Sequence, residues 1–236
     1  MTAANIKQQL LAFGNPLKAE HAKYFFKTGE GQYGEGDRFM GCTVPETRGI
    51  ARKFIQTPFG ELEKLLNDDL HECRLCALII LVAQFQKADD LVRREIVDFY
   101  LAHTQRINNW DLVDLSCYHI IGAWLKGQED RSLLYRLAES DQLWEQRIAI
   151  VSTMAFIRNN DFSDTLNLCE LFLTHKHDLM HKACGWMLRE AGKRDEAVLT
   201  GFLDNHHLEM PRTMLRYAIE RLSPEQKNHY MMRPGK

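Results

Sequence analysis

The chain has 236 residues, 45% of them hydrophobic and 26% charged, with a formal net charge of −2. That is the balance of a globular chain able to bury a sizeable core, as one domain or as an array of small units, and it carries no signature of disorder. A near-neutral charge by itself speaks against a nucleic-acid binder, unless the cations are gathered on one face.

No apolar run reaches the roughly 18 residues of a membrane span. The opening MTAANIKQQLLAFGNP lacks the basic-then-apolar pattern of a secretion signal, so a cytoplasmic protein is expected. Asn15-Pro16 predicts a helix start, with an oxygen-bearing cap and a proline in the first turn. The stretch TGEGQYGEGD, residues 28–37, follows that helix, and Gly29, Gly31 and Gly34 spell G-x-G-x-x-G. A dinucleotide fingerprint needs a strand before it, and none is expected here. Glu30, Glu35 and Asp37 would also repel a pyrophosphate. The stretch is therefore expected to be a connecting loop whose glycines permit positive φ.

A further helix is expected to follow Pro45. Beyond about residue 70, amphipathic helices alternate with breaks at 88–90, 108–109, 127–128, Ser140, 159–160, 175–178, Gly192 and 206–211. No segment shows sustained period-2 alternation, so the chain is expected to be all-α. The six cysteines (42, 73, 76, 117, 169 and 184) sit mostly within apolar helical patterns, which suits reduced core thiols. Cys73-x-x-Cys76 has no second half and His71 does not complete a zinc set, so no metal is expected.

Five helices can be laid over one another: HECRLCALII, WDLVDLSCYH, WEQRIAIVST, LMHKACGWML and MLRYAIERLS. One polar position recurs in them as Arg74, Asp114, Arg147, Lys182 and Arg216, at intervals of 40, 33, 35 and 34 residues. Those are the lengths of two-helix solenoid repeats, which stack into a curved right-handed superhelix. The recurring cations make either a basic stripe on a concave face or bridges to acids on neighbouring helices, and the register alone does not choose. Asp114 is the exception in the series, and an acid there suits a positive charge to be met.

Trp110 lies four residues before Asp114 on the same helix face, and Trp186 lies four residues after Lys182. A carboxylate with indoles suits a cationic transition state. Each indole face attracts a cation by ~0.5–2 kcal/mol. A carboxylate ~4 Å away contributes about 4 kcal/mol at an effective dielectric of 20. Cleavage of an N-glycosidic bond generates an oxocarbenium of this kind. The plainer alternative is a core tryptophan beside an exposed acid. Trp124 and Trp144 are expected to be core residues, and Asp111 a first-turn acid favouring its helix N-terminus.

Three blocks carry a resemblance to a known family: YFFKTGEGQYGEGDRFMGCTVPETRGIARKF, INNWDLVDLSCYHIIGAWL and HKACGWMLREAGKRD. They resemble, in order and spacing, the DNA alkylation repair glycosylases built from HEAT-like helical repeats, the AlkD-type family. The resemblance spans essentially the whole chain and implies one domain over 1–236, an all-α curved right-handed solenoid of HEAT-like repeats. It implies hydrolysis of the bond between deoxyribose and a positively charged alkylated purine, 3-methyladenine or 7-methylguanine, in double-stranded DNA. The reaction needs no metal or cofactor and leaves an abasic site. By the resemblance Asp114 is the catalytic carboxylate, Trp110 and Trp186 flank the sugar, and Arg147 holds DNA near the lesion. Lys182, Arg74 and Arg216 join the DNA-binding set on the register alone. Tyr33, Asp37 and Arg38 are loop residues that could approach DNA. A monomer is expected, with double-stranded DNA containing alkylated bases as partner. The alternative is a non-catalytic HEAT-like repeat scaffold binding DNA structures or a protein partner; a third reading is a glycosylase for bulkier or different adducts.

Overall fold

The computed structural model describes residues 1–232, and among these the chain is all-α; the one β-type pairing is an isolated bridge between Arg38 and Leu70. The helices are α1 (Ala3–Leu11), α2 (Pro16–Phe25), α3 (Val44–Lys53), α4 (Phe59–Leu66), α5 (His71–Lys87), α6 (Asp90–Ala102), α7 (Trp110–Cys117) and α8 (Ala123–Leu125). They continue with α9 (Ser132–Ala138), α10 (Leu143–Ser152), α11 (Met154–Ile157), α12 (Ser163–Leu171), α13 (Asp178–Arg194), α14 (Glu196–His206), α15 (Arg212–Ala218) and α16 (Pro224–Met231). No helix among the described residues is long and apolar enough to cross a membrane.

Several helix starts follow from local chemistry. The Asn15 side chain accepts the Lys18 N–H at 3.1 Å, and Pro16 supplies the fixed φ of the first turn. Asp89 caps α6 through the Val92 N–H at 3.0 Å. Asn109 starts α7, and Ser223 with Gln226 forms a reciprocal capping box on α16. One expected break is absent. Gly192 lies inside α13, which runs on to Arg194. A Cβ at Gly192 would come within 2.5 Å of the Leu199 side chain, so this glycine lets α14 pack close rather than ending its own helix.

The contacts fall into two compact units, Met1–Ile120 and Ile121–Lys236, within the span expected as one domain. In the first, α5 is the spine against which α3, α4 and α7 pack. Leu75, Leu78, Ile80 and Leu81 of α5 are buried with Ile50, Leu62 and Leu66. Each such side chain contributes about 1.5–3 kcal/mol by leaving water. In the second, α13 takes the same place, packed against α10, α12, α14 and α15. The five helices overlaid in the sequence are thus the layer of adjacent helices in each unit: α5 beside α7 in the first, α10, α13 and α15 in the second. All six cysteines are buried in these cores. Trp124 and Trp144, expected in the core, are only partly buried.

Candidate functional site

In the first unit the chemistry gathers at the start of α7. Asn109 is fully buried, and its side-chain oxygen accepts the Trp110 N–H at 2.8 Å. Leu112, Val113, Ser116 and Cys117 turn inward, and Ser116 ties back to the Tyr100 hydroxyl at 2.9 Å. That leaves Trp110 and Asp114, one turn apart, on the partly buried face, as their spacing predicts. The Trp110 ring meets the edge of Phe25 at 5.8 Å and stacks on Phe26 at 5.5 Å, so aromatic neighbours hold its orientation.

Behind this turn lies a buried ionic network. Asp37, at the end of the glycine-rich loop, accepts hydrogen bonds from three partners: the His71 ring at 3.2 Å, the Asn109 side-chain amide at 3.1 Å and the Arg74 guanidinium. The other nitrogen of His71 meets Asp111 at 2.8 Å, while the second oxygen of Asp111 accepts the Leu112 N–H at 2.9 Å. The side chains of Asp37, His71 and Arg74 are 3%, 2% and 2% exposed, and that of Asp111 is 15% exposed. Burial alone would push the His71 imidazole down. The charge and hydrogen bond of Asp111, with the hydrogen bond of Asp37, outweigh burial and the opposing charge of Arg74, and hold it up at about 9. Asp37 loses more to burial than to any other single cause, yet His71, Arg74 and Asn109 together hold it below the usual carboxylate range.

The loop is built to deliver Asp37. Gly31 and Gly36 take positive φ of 72° and 83°, and Gly34 lies where a Cβ would fall 2.3 Å from the Phe26 carbonyl oxygen. Close packing and left-handed turns explain the glycines. Two sequence expectations change here. Asp37 does not approach the outside, because its carboxylate is spent inside. Arg74 is no part of a basic stripe: it takes the bridging alternative, with its guanidinium on Asp37 and the carbonyls of Asp68 and Asp69 at 3.1 and 3.4 Å.

In the second unit, α10 presents Arg147 and α13 presents Lys182 and Trp186. Arg147 is buried and donates from Nη1 to the Leu179 carbonyl at 2.6 Å, at the first turn of α13. Lys182 is 39% exposed and pairs with Asp178 one turn earlier at 2.7 Å. Trp186, one turn later, is partly buried. Arg216 on α15 is exposed. Three histidines surround the start of α13: His175 bonds Gln146 at 2.9 Å, His177 caps the helix through the Leu179 N–H at 3.2 Å, and His181 reaches the His175 carbonyl at 2.6 Å. Burial is the largest cause that pushes His175 and His177 below the usual imidazole range; neighbouring histidines add to it at His175, and at His177 the opposing charge of Asp178 is outweighed with help from His181, Arg147 and Lys182.

A family model described as DNA alkylation repair enzyme matches residues 6–222. The chain belongs to that family. A solved structure described as "Predicted DNA alkylation repair enzyme from Enterococcus faecalis" matches with a TM-score of 0.70 and 16% identity, covering 89% of this chain and 97% of that one. At that identity the likeness shows the fold alone. No curated protein gives a match.

Within the DNA alkylation repair fold, sequence reasoning missed the Asp37–His71–Asp111 network. Asp111 was legible only as a first-turn acid and His71 only as an incomplete metal ligand. Their partners lie 34 to 40 residues away in sequence, and no local spacing signals such pairing.

Proposed function

We propose that this DNA alkylation repair enzyme is a monofunctional DNA glycosylase, hydrolysing the N-glycosidic bond of positively charged alkylated purines, 3-methyladenine and 7-methylguanine, in duplex DNA. The observation that carries the reading is the pairing of Trp110 and Asp114 on the partly buried face of α7, within the block that resembles the family. As the bond to the base breaks, the electron pair leaves with the purine and neutralises it, while positive charge develops on the sugar. Asp114 stabilises that charge and orients the water that attacks C1′, and Trp110 covers the sugar with its ring. An already cationic base is a good leaving group, so the reaction needs no general acid.

Trp186 and Arg147 are assigned to the same reaction by the resemblance and the register in which they sit, Arg147 as a buried group that holds the Leu179 carbonyl at the start of α13 and not as an exposed cation. Of the register cations, Lys182 and Arg216 are exposed enough to meet phosphate, and Arg74 leaves the DNA-binding set because it is buried on Asp37.

The test is release of methylated purines from alkylated duplex DNA, comparing the protein with Asp114→Asn at matched DNA occupancy. Loss of one electrostatic group at the reacting centre should slow release by about 10²–10³. A protein that binds DNA and releases no base in either form would overturn the reading in favour of a non-catalytic scaffold.

A further inference from the structure

We propose that His71 is a positioning residue: clamped as a double donor between Asp37 and Asp111, it fixes the first turn of α7 and so aims Trp110 and Asp114. The catalytic consequence rests on the glycosylase reading above, whereas the mechanical coupling stands without it.

Hydrogen-bond arithmetic supports the clamp. An imidazole ring that meets a carboxylate at each nitrogen must donate from both, and only the imidazolium has two N–H groups. His71 meets Asp37 through Nδ1 at 3.2 Å and Asp111 through Nε2 at 2.8 Å. When the ring loses a proton, one of these carboxylates is left facing a lone pair inside the protein, which costs free energy unless the turn moves. With Arg74 included, two carboxylates and two cations balance, so the cluster is self-contained as long as His71 is charged.

The clamp reaches Trp110 by three routes. Asp111 follows Trp110 directly and takes the Leu112 N–H. Asp37 also holds the Asn109 amide, and the oxygen of Asn109 caps the Trp110 N–H. The His71 ring lies against Phe26 at 5.1 Å and Phe39 at 4.9 Å, and Phe26 is the ring stacked on Trp110. A network that served only to fill the core would have no reason to converge on one exposed-edge turn. The charged groups around His71 are Asp37 from the loop, Glu72 and Arg74 from its own helix, Asp111 from α7, and Lys18 of α2 across a cavity of about 100 Å³. Glu72 is committed to the Met40 and Gly41 N–H groups at 3.0 and 2.8 Å, which leaves the two aspartates to hold the ring.

Two measurements test this. The first follows the indole N–H resonance of Trp110 and the ring nitrogens of His71 by NMR as pH rises, in the unaltered protein and in Asp111→Asn. Trp110 should report the His71 midpoint, near the raised value of about 9. The midpoint should fall by about one pH unit or more when the Asp111 charge is removed. The second follows single-turnover base release for the same two proteins across that pH range, where the ratio of rates cancels the substrate's own titration. Asp111→Asn should be slower by about tenfold, through the chemical step rather than DNA affinity, with the deficit widest between the two His71 midpoints and narrower above about 9, where the unaltered protein loses the clamp as well. A Trp110 resonance indifferent to His71 titration in the unaltered protein overturns the proposal even if the variant fails to fold. So does a rate ratio constant across pH. Base release absent from the unaltered protein, with Trp110 still tracking His71, would instead sink the glycosylase reading and leave the clamp standing.

Discussion

α5 and α13 are each 17 residues long, each is the spine of its unit, and each carries a cation at the recurring register position. In α5 that cation is Arg74, 2% exposed and neutralised by an aspartate from a distant loop. In α13 it is Lys182, 39% exposed and paired with Asp178 of its own helix. Equal register therefore does not mean equal role. A guanidinium that bridges a buried carboxylate holds the fold. An exposed ammonium, in a short-range pair across one helical turn, stays within reach of a partner.

The largest effect that would sharpen this contrast is at Arg74. Arg74→Met removes one partner of a buried pair and leaves Asp37 under-compensated, so urea denaturation should show a loss of about 3–5 kcal/mol. The equivalent change at Lys182 removes an exposed pair. Equal losses at the two positions would break the comparison.

That difference was only partly legible in the sequence. Apolar periodicity and capping residues fixed where Asp89 starts α6, where Asn109 starts α7 and which of the overlaid helices lie side by side within each unit. Gly192 was misjudged because the same residue type serves helix ends and close approaches, and only the Leu199 contact distinguishes them. Trp110 and Asp114 on one face followed from their spacing. Arg74 could not be told from Lys182, since the deciding partner, Asp37, lies 37 residues away in a loop whose path no local rule dictates. The ion pairs that frame the candidate site are tertiary facts.

A second contrast between the units is in pH. His71 has a folded-state pKa raised from an unperturbed value of about 6.5 to about 9. Its stabilisation is fully present below the lower of these and is lost as pH rises through the upper, on the order of 3 kcal/mol in all. His175 and His177 are shifted the other way, so the unfolded chain binds their protons more readily, and their contribution is fully present above the unperturbed value and is lost as pH falls below it through the lowered folded value. Hydrogen exchange corrected for intrinsic rates should therefore show α7 opening more readily in mild alkali and the start of α13 in mild acid. The same pH response in both units would contradict the opposed shifts.

The smallest expected effect is at Lys182, and its value lies in being small. Lys182→Ala should change stability by less than about 1 kcal/mol, because an exposed pair one turn apart gains little over two hydrated ions. If Lys182 meets a DNA phosphate, the change should also reduce the slope of log affinity against log salt by about one, since one fewer counterion is released. Asp178 competes for the same ammonium in the free protein at 2.7 Å. Asp178→Asn should therefore tighten DNA binding while leaving the slope contribution of Lys182 in place. Arg74→Met, measured where it is still folded, should leave the slope unchanged, because a guanidinium buried on Asp37 meets no phosphate and releases no counterion. A slope that falls for Arg74 and not for Lys182 would reverse the roles assigned to the two helices.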